Sequence, residues 1–374
     1  MSRDLLLVAI ALLAWGAGES TYILFQPLYL AELGASPVSI GTILGGVGTA
    51  MTLAHIPAGY LADLIGRRIM MWSAWILGVT AGAIMALAGS LQVFAIGAIT
   101  YGITAFVSAP MISYITAARG KWTVVRAITF TQVFYNAGAI FGPVIGGFIG
   151  NRFGYSAIYS FATIIFGLST IIILFIRPQP TESRDGRKIL TGLSNRSFIL
   201  FLPVIFIAYL AMYISQPLAP NYLQQKHLLS LQNIGVLGSI NNIGNVVFNL
   251  VLGAIPAFRG FLLGQFASIF FPIFLWRGSG IICQGLGYFM LGGFHASRIM
   301  ALAHLRSFVN SANMGLAYGI AQTTVGLATI LAPVLAGLLY NSNPNWVFQA
   351  GISLIILSIF ISMIFNKWYI RSYE

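Results

Sequence analysis

Twelve apolar stretches separated by short polar gaps leave this chain few folds to choose from. They cover 5–31, 39–62, 69–89, 92–117, 125–150, 155–176, 197–223, 231–256, 260–276, 279–304, 312–340 and 346–366. Each is near the ~20 residues that an α-helix needs to cross hydrocarbon. Inside a bilayer the backbone must satisfy its own hydrogen bonds, which only helices and closed barrels do. None of the stretches alternates with a period of two, which argues against barrel strands. Only 7% of the residues are charged and 58% are hydrophobic, whereas a soluble domain carries roughly 25% charged residues. The apolar surface therefore faces lipid, and 374 residues shared among twelve spans leave no room for a soluble domain. The first stretch starts at Leu5 and runs on to about Leu30 without a small-residue cleavage site, so it reads as a span and not as a signal peptide.

The formal charge of +12 raises the question of a nucleic-acid partner. The basic residues sit in gaps between spans, with no basic stripe interleaved with aromatics, so nucleic acid is not the expected partner. Their placement alternates instead. Arg67, Arg68, Arg119, Lys121, Arg126, Arg177, Arg184, Arg187, Lys188, Arg196, Arg259 and Arg306 fall in every second gap, and Arg3, Lys367 and Arg371 lie at the termini. Arg152, Lys226 and Arg277 fall in the opposite loops. The positive-inside rule then places both termini in the cytoplasm of a cell-membrane protein. The even number of spans agrees.

The chain repeats itself at an offset near 190 residues. Gln26-Pro27-Leu28 matches Gln216-Pro217-Leu218, and Ser39-Ile40-Gly41 matches Asn233-Ile234-Gly235. Gly142-Pro143-Val144-Ile145-Gly146-Gly147 matches Ala332-Pro333-Val334-Leu335-Ala336-Gly337, with Gln132 and Gln322 in register. Between the copies, 177–196 is the longest polar stretch. The expected organisation is a six-helix bundle over 1–176, a cytoplasmic linker over 177–196 and a second bundle over 197–374. A parallel repeat of this kind places a substrate path between its halves near the midplane.

Gly59-Tyr60-Leu61-Ala62-Asp63-Leu64-Ile65-Gly66-Arg67-Arg68 lies between the second and third spans. It resembles the signature loop of the major facilitator superfamily, and the span count, linker and repeat extend the resemblance over the whole chain. The resemblance implies an all-α membrane protein with twelve transmembrane helices in two pseudo-symmetric six-helix bundles. It also implies a cytoplasmic latch, in which Asp63 pairs with Arg67, Arg119 or Arg126, or faces a helix N-terminus near Asn310 and Ser311. Gly59 would let helices approach and Gly66 would permit a tight turn. In the fifth span, Gly138, Gly142, Pro143, Gly146 and Gly147 resemble an element of the superfamily's antiporter branches. Thr129 stands where that element has a further glycine, and Ala98 where drug antiporters often carry an arginine. Helix packing with a proline kink explains the same residues without any antiport.

Few polar residues lie inside the spans. Glu19 is the one carboxyl well inside a helix, a placement costing about 2.5–3.5 kcal/mol on insertion scales. It is the candidate proton carrier, with His55 and His295 the other groups that titrate near neutral pH. Arg298 is the one basic residue deep in a span, suited to an anion or to snorkelling toward the surface. Asn242, Asn245 and Asn249 share a helical face, and Gln132 and Asn136 are one turn apart. With Tyr22, Gln26, Tyr213 and Gln216 they are candidate cavity-lining groups, the alternative being interhelical hydrogen bonds worth roughly 0.6 kcal/mol each.

The single cysteine, Cys283, excludes an internal disulfide and a cysteine metal cluster. No phosphate loop, H-E-x-x-H or G-x-S-x-G motif occurs, so no enzyme, metal or cofactor is expected. The expected function is secondary transport of a small organic solute by alternating access, preferably proton-coupled export by a monomer. Uptake of a polar or anionic metabolite by symport or uniport is the second reading. A transporter-like sensor or scaffold is the third, disfavoured because the short loops offer no output domain.

Overall fold

The computed structural model describes residues 2–179, 195–309 and 314–371, without the side chains of 56–60, 63, 315–316 and 369–371. The helices are α1 (Arg3–Ile23), α2 (Gln26–Glu32), α3 (Pro37–Ile65), α4 (Arg67–Ala86), α5 (Leu91–Ile103), α6 (Ser108–Ala118), α7 (Val124–Phe153) and α8 (Tyr155–Leu174). They continue as α9 (Arg196–Tyr213), α10 (Ala219–Lys226), α11 (Leu231–Gly253), α12 (Ala257–Arg277), α13 (Gly280–Met290), α14 (Gly292–Leu305), α15 (Met314–Ser342) and α16 (Pro344–Arg371). There is no strand among the described residues.

Joining α1 with α2, α5 with α6, α9 with α10 and α13 with α14 gives twelve helical stretches among the described residues. Eleven of them contain a helix or joined pair long and apolar enough to cross a membrane. The tenth falls short because it breaks at Leu291, where Gly292 and Gly293 follow. A side chain on Gly292 would collide with the Gly244 backbone, and one on Gly293 would meet the Gly264 carbonyl oxygen, so this stretch bends under close packing. The repeated Gln-Pro-Leu also acts alike in both copies. α1 ends just before Gln26-Pro27, and α9 ends at Tyr213 with Gln216-Pro217 in the turn before α10. Proline withholds an N–H and restricts the residue before it.

The chain divides into two compact units, each borrowing a short segment from the other half of the sequence. The first comprises 1–35, 46–183 and 228–239, and the second 36–45, 184–227 and 240–374. In the first unit α1 packs on α7 and α8, and α4 packs on α5 and α8. Its core includes Leu5, Val8, Met71, Trp75 and Tyr114, all buried. Asp4 accepts hydrogen bonds from the Arg177 backbone N–H at 3.0 Å and from Gln179 Nε2 at 3.3 Å. The Tyr114 hydroxyl donates to the Arg177 carbonyl at 2.6 Å, which fixes the chain as it leaves α8. The first turns of α11 belong to this unit, and a Cβ on Gly235 would collide with the Pro143 carbonyl.

In the second unit α12 packs on α13, α14 and α16, while α9 packs on α15 and α16. Phe201 stacks near Phe365 at 5.1 Å and meets Phe261 and Phe308 edge-on. Gln265 is fully buried and links helices by donating to Ser362 and accepting from Ser358. The first turns of α3 belong here, and a Cβ on Gly41 would collide with the Pro333 carbonyl. Gly41–Pro333 and Gly235–Pro143 are therefore the same contact made twice, by residues that the sequence repeat pairs.

Candidate functional site: a carboxyl in an aromatic cavity

Trp15, Glu19, Tyr22 and Gln26 are spaced by four, three and four residues. On a helix this spacing puts them on one face. That face of the first stretch opens onto a cavity of about 440 Å³ within the first unit. α1 is held there by a glycine row on α7. A Cβ on Gly138, Gly142 or Gly146 would collide with α1 atoms, at the carbonyl oxygen of Leu13, the Ser20 hydroxyl and the carbonyl oxygen of Thr21. Small residues of this kind let helices approach closely in a bilayer. The close approach brings Tyr135 of α7 to Glu19, where its hydroxyl donates to the carboxylate at 2.7 Å.

Aromatic rings form much of the cavity wall. Trp15 and Trp75 have ring centroids 5.0 Å apart, and Tyr101 stacks on Trp15 at 6.2 Å. Tyr22 meets Tyr101 edge-on at 5.4 Å. Trp75 is oriented by its indole N–H, which donates to Ser169 Oγ at 2.8 Å. Ser169 in turn donates to the Ala11 carbonyl of α1 at 2.7 Å. Tyr22 is 1% exposed, and among the described residues its hydroxyl and that of Tyr101 are buried near one another without a hydrogen bond of good geometry. Both tyrosines lie close enough to Glu19 to sense its charge. Among the described residues lining the cavity, Glu19 is the only charged one. Ala98, where the antiporter resemblance pointed to an arginine, lies on its wall.

Of the residues singled out in the sequence, Glu19, Tyr22, Gln26 and Gln132 line this cavity. Asn136 sits beside it, accepting from Gln132 Nε2 at 3.2 Å. His55 is exposed on α3 and is not among the lining residues. The others lie in the second unit. Arg298 donates to Gln322 Oε1 at 2.9 Å and stands 5.8 Å from the Tyr209 ring centroid. His295, one turn before Arg298, packs edge-on to Phe294 at 5.0 Å. Tyr213 stacks on Phe294 at 5.8 Å, and Gln216 donates to the Met212 carbonyl. Asn249 donates to Asn245 Oδ1 at 2.6 Å, and Asn242 is on the same face of α11.

In the signature loop, Gly66 takes a positive φ of 90° and opens α4, a backbone that glycine adopts at no steric cost. Arg67 donates to the Ser113 carbonyl at 3.5 Å and Arg119 to that of Thr116. Arg68 lies over Trp72 at 4.5 Å and Arg126 over Trp122 at 4.4 Å. The surroundings of Gly59 and the side chain of Asp63 lie outside what is described, as do Asn310, Ser311 and 180–194 of the linker.

Sequence reading passed over Trp15, Trp75, Tyr101 and Tyr135. Trp15 precedes Glu19 by one turn and Tyr135 follows Gln132 by three residues, so both shared a face with residues already chosen. Trp75 and Tyr101 reach the cavity from other helices, and only tertiary structure reveals them.

The first unit's cavity thus holds one carboxyl among aromatic rings and hydroxyls. The sequence model of the Major Facilitator Superfamily matches residues 6–202, and the chain belongs to that family. It is 20% identical to Multidrug resistance protein 2 of Bacillus subtilis (strain 168), over 91% of this chain and 90% of that one. It is 24% identical to Tetracycline resistance protein, class E, of Escherichia coli, over 82% of this chain and 81% of that one. Among solved structures, a mutant of the nucleoside transporter NupG superposes with a TM-score of 0.86 at 14% identity, covering 97% of this chain and all of that one. The POT family transporter PepTSo superposes with a TM-score of 0.77 at 12% identity, covering 100% of this chain and 98% of that one. The twelve-helix, all-α fold expected from the sequence is the fold of these structures, and the chain is an integral membrane transporter.

Proposed function

We propose that the protein exports a small organic solute in exchange for protons, with Glu19 carrying the coupling proton. The observation behind this reading is the Glu19–Tyr135 hydrogen bond at 2.7 Å on the wall of the first unit's cavity. An ionisable group at membrane depth is costly and is normally kept for a transport pathway. A carboxyl facing a cavity takes up and releases a proton as access to that cavity alternates between the two sides. Tyr135 gives the ionised form a donor, so neither protonation state is stranded. Tyr22, Gln26, Gln132 and Asn136 supply hydrogen-bonding groups for the solute. His55 and His295 are not among the residues lining this cavity and serve as auxiliary titrating groups at most. The relatives named for multidrug and tetracycline resistance support export, and the charge distribution supports cytoplasmic termini.

Uptake of an anionic metabolite is the second reading, and Arg298 favours it. Among the described residues its guanidinium meets the neutral groups Gln322 and Tyr209, and its charge suits an anion. Flux decides between the two. Proteoliposomes containing a pH-sensitive dye would be challenged with tetracyclines and aromatic amines, with and without an imposed pH gradient. Export by exchange requires solute-dependent proton movement that is lost in Glu19→Gln while solute exchange partly survives. Gradient-driven transport unchanged in Glu19→Gln would return that residue to a structural role.

A further inference from the structure

We infer that the first unit's cavity is selective for a protonated primary or secondary amine carried on a flat aromatic body. The inference rests on the cavity being the solute site proposed above, and it names the solute's chemistry. Three observations converge on it.

The first is charge. Glu19 is the only charged residue among the described lining, so no cation competes for its carboxylate and nothing there attracts an anion. A solute bearing one positive charge completes the site, whereas an anion would meet an uncompensated like charge. The second is shape. The rings of Trp15, Trp75 and Tyr101 are packed at centroid distances of 5.0 and 6.2 Å, giving a rigid aromatic wall. Aromatic faces attract cations and stack on flat rings, tryptophan most strongly. The volume, about 440 Å³, suits a small organic molecule and is too small for a large one.

The third observation sets the type of cation. The hydroxyls of Tyr22 and Tyr101 are buried beside Glu19, Tyr101 lying next to both the carboxyl and Tyr22, and among the described residues neither makes a hydrogen bond of good geometry. A buried hydroxyl without a well-formed hydrogen bond is costly, and an ammonium seated among these groups offers both oxygens a donor. An ammonium with N–H groups donates to Glu19 and to one or both hydroxyls. A quaternary ammonium keeps the charge and the cation–π attraction but has no N–H, so it gives neither the carboxylate nor the hydroxyl oxygens a donor. The carboxylate and rings therefore select a cation, and the two tyrosines select among cations.

A matched series tests this without any pH gradient: 2-(1-naphthyl)ethylammonium, its N,N,N-trimethyl analogue, the neutral naphthylethanol and the anionic naphthylpropionate. Binding to the purified full-length protein is read by isothermal titration calorimetry. The amine should bind at least about tenfold tighter than the quaternary analogue, the size expected for hydrogen bonds to a charged group. The neutral and anionic members should be weaker than both. Tyr22→Phe with Tyr101→Phe should erase the amine's advantage over the quaternary analogue while both cations still outrank the neutral compound. Glu19→Gln should erase the preference for cations. Equal binding of amine and quaternary analogue, binding of the neutral or anionic member as tight as the amine, or no binding in the series would each overturn the inference. The wild-type comparison needs no variant to fold. Because calorimetry involves no gradient, its failure is distinct from a failure of proton coupling, which only the flux assay reads.

Discussion

The Tyr135 hydroxyl reaches the Glu19 carboxylate at 2.7 Å because the glycine row of α7 lets that helix lie directly against α1. The packing element and the ionisable group are thus one arrangement. Gly138, Gly142 and Gly146 set the helix separation, and the separation sets the hydrogen bond. A hydrogen bond to a charged group contributes about 1.5–3 kcal/mol. Tyr135→Phe should therefore lower gradient-driven flux by about tenfold, since each 1.36 kcal/mol is a decade in rate. Glu19→Gln should abolish it. Flux in proteoliposomes under an imposed pH gradient gives both numbers, and a Tyr135→Phe variant with normal flux would separate the hydrogen bond from coupling.

That arrangement was only half legible in the sequence. Glu19 stood out because a carboxyl in an apolar span has few reasons to be there. The glycine row stood out through its spacing and its repeat at residues 332–337. Neither feature shows that the two meet, because contact between the first and fifth spans depends on tertiary packing. Trp75 and Tyr101 were hidden for a related reason. Aromatic residues are common in spans, and nothing in periodicity distinguishes one that faces a cavity from one that faces lipid. The broken tenth stretch was missed as well, since Gly292-Gly293 reads equally as a packing pair or a bend.

The twin contacts Gly41–Pro333 and Gly235–Pro143 predict symmetric sensitivity. Even a methyl group at either glycine collides with a backbone carbonyl, which cannot turn aside as a side chain can. Gly41→Ala and Gly235→Ala should each destabilise the protein by about 1–3 kcal/mol, the usual cost of overpacking. Gly167→Ala should be neutral, because nothing lies within 4 Å of a Cβ there. Melting temperatures of the purified proteins in one detergent would show the contrast. Equal melting of all three variants would mean that the helices shift apart freely.

Orientation is open to a labelling test. In a Cys283→Ser background, cysteine at Ser36 should react with an impermeant thiol reagent in intact cells. Cysteine at Ser307 should resist until the membrane is permeabilised. Both positions are exposed, so the difference reports sidedness and not burial. The reverse pattern would place the termini outside, against the distribution of basic residues.

Arg298 separates the two transport readings. Its described partners are the neutral groups Gln322 and Tyr209. Arg298→Gln should change the export of an amine by no more than about threefold, as expected of a residue that does not line the first unit's cavity. Loss of all transport, with anionic solutes bound by wild type and not by the variant, would favour the uptake reading.

The last expectation concerns a residue that touches no solute. Ser169 lies behind the cavity, accepting the Trp75 indole N–H at 2.8 Å and donating to the Ala11 carbonyl at 2.7 Å. Both bonds are buried, with Ser169 at 0% exposure and Trp75 at 2%. Ser169→Ala leaves the indole N–H without an acceptor, a loss of about 1–3 kcal/mol. The ring can recover a partner only by turning, and turning disturbs its packing on Trp15. Ser169→Ala should therefore weaken binding of naphthylethylammonium as well as lowering the melting temperature. Ser169→Thr keeps the hydroxyl and should retain most of the affinity if the added methyl is accommodated. If Ser169→Ala melted earlier yet bound the amine as tightly as wild type, Trp75 would be a packing residue and not part of the recognition wall.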